Sequence, residues 1–169
     1  MNPSFLQHQL ATNQGLFTHV FAAFSPDMIT WRPYPEHWSA LEVLCHLVDE
    51  EREDFRTRVM FSLEQPMDPP PPIAPRAWVK ERNNQAQNWA ATVAEWGGER
   101  ELCLTILQEV DTVHWERAVF TPEGQVTRSA LGYLTSWVAH DLLHLRQLTR
   151  LRYLWLKEQG FSIAYAGDW

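Results

Sequence analysis

Apolar positions recur at helical spacing in four separate stretches of this chain, divided by segments rich in proline or glycine. The first stretch runs from about Pro3 to Phe24. Asn2 is placed to cap it, Pro3 suits its first turn, and Ser25-Pro26 ends it. A connector containing MITWRPYPEHW leads to Ser39, which pairs with Glu42 in a capping box and opens a helix to about Glu64. The prolines of QPMDPPPPIAPRAW then break the pattern. A third helix is expected from near Ala77 toward Val110. Gly97-Gly98 should kink or split it, since each glycine costs about 1 kcal/mol relative to alanine. HWERAVFTPEGQVTRS holds a turn at Pro122-Glu123-Gly124 and invites a small hairpin. Ser129 caps a fourth helix reaching about Glu158, with Gly160 as its stop. With little strand signal, the expectation is an all-α four-helix bundle. It forms a single domain over residues 1–169, with an aromatic tail, FSIAYAGDW, over about 159–169. The long connectors leave the topology open at this level.

The helical phase of the fourth stretch singles out two histidines. At 100° per residue, Trp137, His140, His144, Leu148, Leu151 and Trp155 fall within about 80° of one another. His140 and His144 therefore interrupt an inward apolar stripe, while Arg146, Arg150 and Lys157 take the opposite side. In His140-Asp141-Leu142-Leu143-His144 the two imidazoles lie one turn apart on one face, where both reach a single metal ion. Asp141 stands where metalloproteases of the HExxH type carry glutamate. The plainer alternative is a pair of core histidines, each satisfied by a hydrogen bond.

A catalytic site commonly takes three protein ligands, and His46 is the best third candidate. Its helix presents Leu41, Leu44, Val48, Phe55 and Val59 on one side. His46 falls on the other, with Glu42, Asp49, Glu50 and Glu53. Periodicity reads that side as a solvated acidic face. The alternative is a polar cleft in which His46 is a ligand and Glu50 either a ligand or a group facing bound water. His8, His19, His37 and His114 have no partner at ligand spacing and read as surface or packing residues. Trp137, one turn from His140, can wall a pocket. Paired Glu-x-x-His motifs, a glycine-rich phosphate loop and a GxSxG elbow are all absent from the sequence.

Charge narrows the partners. Fourteen Lys and Arg against 21 Asp and Glu leave −7, which excludes a basic nucleic-acid grip and disfavours an anionic membrane surface. No apolar run approaches the roughly 20 residues of a spanning helix, and the N-terminus lacks the layout of a secretory signal. Cys45 and Cys103 form no CxxC pair and read as small buried hydrophobes, so a cytoplasmic location is the default. Six of the acids lie between Glu42 and Asp54 with only Arg52 to offset them, on the helix that carries His46. Part of the negative charge thus reads as the lining of a cation site.

Two segments, WSALEVLCHLVDEERE and TPEGQVTRSALGYLTSWVAHDLLHLRQL, resemble the DinB/YfiT-like superfamily over about residues 5–155. The shared motifs are His46-Leu47-Val48-Asp49-Glu50 and His140-Asp141-Leu142-Leu143-His144. The resemblance implies an up-down-down-up four-helix bundle, often a homodimer, with one divalent metal on His46, His140 and His144. It sets aside the wheel's objection to His46. Gly97-Gly98 and the C-terminal tail have no counterpart in that pattern.

Imidazole ligands suit zinc, nickel, iron or copper, and spacing does not choose among them; zinc or nickel is the first expectation, with iron or manganese also admitted. Two chemistries follow for a small-molecule substrate. A bound low-molecular-weight thiol becomes a thiolate and attacks an electrophile, as in the thiol-dependent transferases and isomerases that the resemblance brings in. Alternatively, bound water becomes the nucleophile of a hydrolase, with Glu50 or Asp49 as base. A third reading is a non-catalytic bundle stabilised by its metal.

Overall fold

A computed structural model of the chain describes residues 2–64, 70–110, 115–116 and 128–166. The predicted turn at Pro122-Glu123-Gly124 and His114 lie outside them.

Helix α1 (Pro3–Ala22) starts as expected, with Asn2 Oδ1 accepting from the Ser4 N–H at 2.9 Å. It ends two residues before Phe24. Ser25-Pro26 then opens a single helical turn, α2 (Pro26–Ile29), in what reads as plain connector. The Ser39–Glu42 capping box forms in full: Ser39 Oγ accepts from the Glu42 N–H, and Glu42 Oε2 accepts from the Ser39 N–H at 2.8 Å. The helix it opens has three parts, α3 (Ala40–Asp49), a π-helical turn (Glu50–Asp54) and α4 (Phe55–Glu64). Within the wide turn the Phe55 N–H bonds to the Glu50 carbonyl, five residues back.

The third predicted helix needs correcting. Its break falls not at Gly97-Gly98 but earlier, between α5 (Pro75–Glu81) and α6 (Trp89–Glu109). There Asn83 takes the left-handed conformation (φ 50°), and Asn88 Oδ1 caps α6 by accepting from the Ala91 N–H at 2.9 Å. α6 passes through both glycines unbroken, because its other residues are sufficient helix formers and its buried face is anchored on both sides of them by Trp96 and Arg100. A Cβ at either glycine meets nothing within 4 Å. Gly97→Ala and Gly98→Ala are therefore each expected to stabilise the protein, by up to about 1 kcal/mol in urea unfolding.

The last helix, α7 (Ala130–Glu158), is capped by Ser129 and ends at Gly160, whose φ of +78° suits glycine. Among the described residues there is no strand, and no helix is long and apolar enough to cross a membrane.

Two core layers give the direction of each helix. In one, Leu6 and Leu10 of α1 meet Phe55 and Val59 of α4, Cys103 and Leu107 of α6, and Leu134 and Trp137 of α7. In the other, Phe17 and Phe21 of α1 meet Val43, Leu44 and Leu47 of α3, Trp96 of α6, and Leu148 and Leu151 of α7. α1 and α7 run from the first layer to the second, whereas α3–α4 and α6 run back. The bundle is up-down-down-up. Trp96 fixes the second layer by meeting Phe17 and Phe21 edge-on, at 5.1 and 5.4 Å between ring centroids. Both cysteines are buried, as expected. Burial pushes the Cys45 thiol up to about 12, which keeps it unreactive.

Candidate metal centre

His46 sits on α3 one turn before the π-helical segment, and His140 and His144 project from the middle of α7. The packing of α3 against α7 brings one ligating atom from each within 4.8 Å of the other two. His140 Nε2 and His144 Nε2 are 3.1 Å apart, and the His46 ring centre lies 5.4 and 4.9 Å from theirs. Trp38 closes one side at 5.0 Å from His46. Phe55, stacked on Trp137, closes another at 5.1 Å from His140. His46 and His144 are buried, while the His140 side chain keeps 23 % of its exposure and marks the open side.

The solvated-face reading of His46 is overturned. All ten residues of α3 are buried, including Glu42, His46 and Asp49. α3 packs against α6 and α7 and is crossed by α5 and the Asn84–Ala86 turn, so it has no outward side. A wheel drawn on one helix cannot register such neighbours. The π-helical turn adds to the error, because its extra residue changes the helical phase between His46 and Phe55.

The electrostatics suit a cation. Burial, followed by the neighbouring imidazoles, pushes His46 down to about 2. Burial and His144 push His140 to about 3, and burial lowers His144 as well. All three rings are therefore neutral at pH 7. His144 Nδ1 lies 2.9 Å from Gln147 Oε1, so it carries the proton it donates there, and its Nε2 lone pair faces the cluster. His46 Nδ1 and His140 Nδ1 are buried without a hydrogen-bond partner. Three neutral nitrogen donors converging in a largely buried recess fit a divalent metal with borderline-soft preference, such as zinc or nickel.

The low value at His46 has a measurable consequence. Its pKa lies below the 6.5 of an unfolded histidine, so the unfolded chain binds the extra proton below that pH. Its contribution is constant above pH 6.5 and is lost as pH falls toward the folded value. In urea unfolding of metal-free protein, wild type is expected to lose about 1.4 kcal/mol per pH unit more than His46→Gln between pH 6 and 4.

The acids of this helix are neither a solvated face nor, for the most part, the lining of a cation site. Glu42 pairs with Arg32 at 3.0 Å, Asp49 and Glu53 share Arg82 at 2.6 Å each, and Asp54 pairs with Arg58. Glu51 is completely buried against Arg100. Among the described residues, Glu50 alone of the six has no Lys or Arg partner. Its carboxyl oxygens lie 3.5 Å from His46 Nδ1 and 4.0 Å from His140 Nε2. Burial, with the nearby Asp54 and Asp49, pushes Glu50 up to about 9. Asp49, the other candidate base, is turned away to Arg82.

Sequence reasoning missed Arg100, a charged residue with no flanking motif that is fully buried among four helices. Its guanidinium bonds Glu51 Oε1, takes both Asp141 oxygens at 2.8 Å and donates to the Leu10 carbonyl. Trp137 Nε1 also donates to Glu51, and Asn13 Nδ2 to Asp141. Glu51 and Asp141 each follow a residue of the metal recess, Glu50 and His140. The network therefore holds the rotations of both helices that carry the histidines. The one available signal was the carboxylate at position 141, one turn from Trp137 at the edge of the inward stripe of α7.

The family model of the DinB superfamily matches residues 9–148, and the chain belongs to that superfamily. No curated protein sequence matches it. Among solved structures it is similar to YfiT from Bacillus subtilis, described as a probable metal-dependent hydrolase with an unusual four-helix bundle topology. That likeness has 15% identity and a TM-score of 0.77, covering 95% of this chain and 89% of that one. It is also similar to the mycothiol-dependent maleylpyruvate isomerase, at 13% identity and a TM-score of 0.65. The match covers 88% of this chain but only 61% of the isomerase.

Proposed function

We propose that this protein is a divalent-metal-dependent enzyme that activates a small nucleophile on His46, His140 and His144, with Glu50 as the proton acceptor. The observation that carries the reading is the pairing of three neutral imidazoles with Glu50, the one acid from Glu42 to Asp54 that has no Lys or Arg partner among the described residues. A divalent ion there lowers the pKa of a bound thiol or water, and its charge favours ionised Glu50. The first substrate class is a low-molecular-weight thiol used for S-transfer. Glu50 takes the thiol proton, and the sulfur forms a bond to an electrophilic carbon. The bond from that carbon to its leaving group breaks, and the leaving group departs with the electron pair and recovers the proton. Trp38 and Phe55 wall the recess and exclude water from the sulfur. The placement of Glu50 also favours a second reading, hydrolysis, in which the same carboxylate takes the proton of bound water.

Zinc- and nickel-loaded protein assayed against electrophile and ester libraries, with and without thiols, separates the two. Turnover that depends on an added thiol is expected, with Glu50→Gln slower by about 10²–10⁴-fold and its metal content retained. Turnover that needs no thiol sinks S-transfer in favour of hydrolysis. Loaded protein that gains stability but turns over nothing in either library leaves a structural metal.

A further inference from the structure

Beside the metal recess, and reaching it through Gln147, α1 and the outer face of α7 form an open trough of about 1390 Å³. Its charge is unlike that of the rest of the molecule. The 20 residues of α1 include no Asp, Glu, Lys or Arg. From Leu142 to Lys157, α7 carries Arg146, Arg150, Arg152 and Lys157 and no carboxylate at all. Arg146, Arg150 and Lys157 line the trough and are exposed, and among the described residues none of them pairs with an acid. Six arginines elsewhere in this bundle, Arg32, Arg52, Arg56, Arg58, Arg82 and Arg100, each meet a carboxylate, whereas Arg76 and Arg128 meet none among the described residues. Beside the free cations lie apolar groups open to solvent, Leu16 at 48% and Leu143 at 53% exposure, with Val20 between the helices.

We propose that this trough binds a small anionic amphiphile, a carboxylic acid with an apolar body, beside the metal centre and without using its histidines. Arg146 and Arg150 stand one turn apart on one face, about 6 Å between their Cβ atoms, so a single carboxylate reaches both guanidinium groups. Arg150 also lies over the Tyr153 ring, 5.1 Å from its centre, which holds it along the trough. Leu16, Val20 and Leu143 receive the apolar part. Other occupants fit less well. The concave shape suits a ligand rather than a bilayer, and the net charge of −7 opposes an anionic membrane. A second copy docked through the same face would oppose cation to cation.

Decanoate is the probe, titrated calorimetrically into the full chain, with decanol and acetate as controls. Decanoate is expected to bind in a saturable manner, with decanol and acetate each weaker by about tenfold or more, on the scale of one charge-assisted hydrogen bond. Arg146→Gln/Arg150→Gln should lose a similar factor while keeping its helical circular dichroism and its zinc uptake, since neither residue touches the histidines. Leu16→Ser, on exposed α1 surface, should weaken decanoate and leave acetate unchanged. Equal affinity for decanol, or undiminished decanoate binding by the double arginine variant, overturns the proposal. So does binding to phosphatidylglycerol vesicles in preference to free decanoate, which assigns the face to a membrane instead.

Discussion

Arg100→Met is expected to destabilise the protein by about 3–5 kcal/mol in urea unfolding, which is the scale for breaking a fully buried ion pair. The cost arises from what is left behind. Glu51 and Asp141 are buried to the same degree as Arg100, and the guanidinium is the cation both of them touch. One Glu51 oxygen already lacks a hydrogen-bond partner, so the site has no spare donor with which to compensate. The loss should be strongly non-additive. Arg100→Met combined with Glu51→Gln and Asp141→Asn removes the stranded charges and should recover much of the stability. The triple variant should still bind metal less tightly than wild type, because the bidentate contact that holds α7 in rotation is gone. A triple variant as unstable as Arg100→Met would show that packing, not charge, dominates at this level of the bundle.

The second large effect is at the histidines. Zinc or nickel at a hundredfold excess over its dissociation constant should stabilise the wild-type protein by about 2.7 kcal/mol, with one ion per chain by elemental analysis. His46→Ala, His140→Ala or His144→Ala should each abolish most of that gain, since two imidazoles cannot hold the ion as three do. Gln147→Ala should keep a bound ion but weaken it by about 10- to 100-fold, having lost the acceptor that orients His144. A metal-induced melting shift that survives all three alanine variants would place the ion elsewhere.

The two sets of variants test different parts of one construction. The histidines supply the donors, and the Arg100 network supplies the rotation of α3–α4 and α7 that makes them converge. That network joins α1 through Asn13 and the Leu10 carbonyl, the π-helical turn through Glu51, α6 through Arg100, and α7 through Asp141 and Trp137. A π-helical turn placed immediately after His46 permits this. Its wider coil lets the consecutive residues Glu50 and Glu51 face different interiors, one the histidines and the other the arginine.

Local signals in the sequence were enough to determine where α1, α3 and α7 begin, what caps them, and that His140 and His144 share an inward face. Capping residues and one-turn spacings act over a few residues, and a linear reading captures them. The motif resemblance added His46 and the helix directions, which periodicity alone left open. Only the tertiary structure decided that α3 has no outward side, that five of the six acids from Glu42 to Asp54 pair with arginines, and that Glu50 is the exception. Three of those pairings are distant in sequence, Asp49 and Glu53 with Arg82 and Glu51 with Arg100, the last separated by 49 positions. Arg100 looks like a surface charge until four helices close around it, because burial belongs to the assembled packing and not to any one helix.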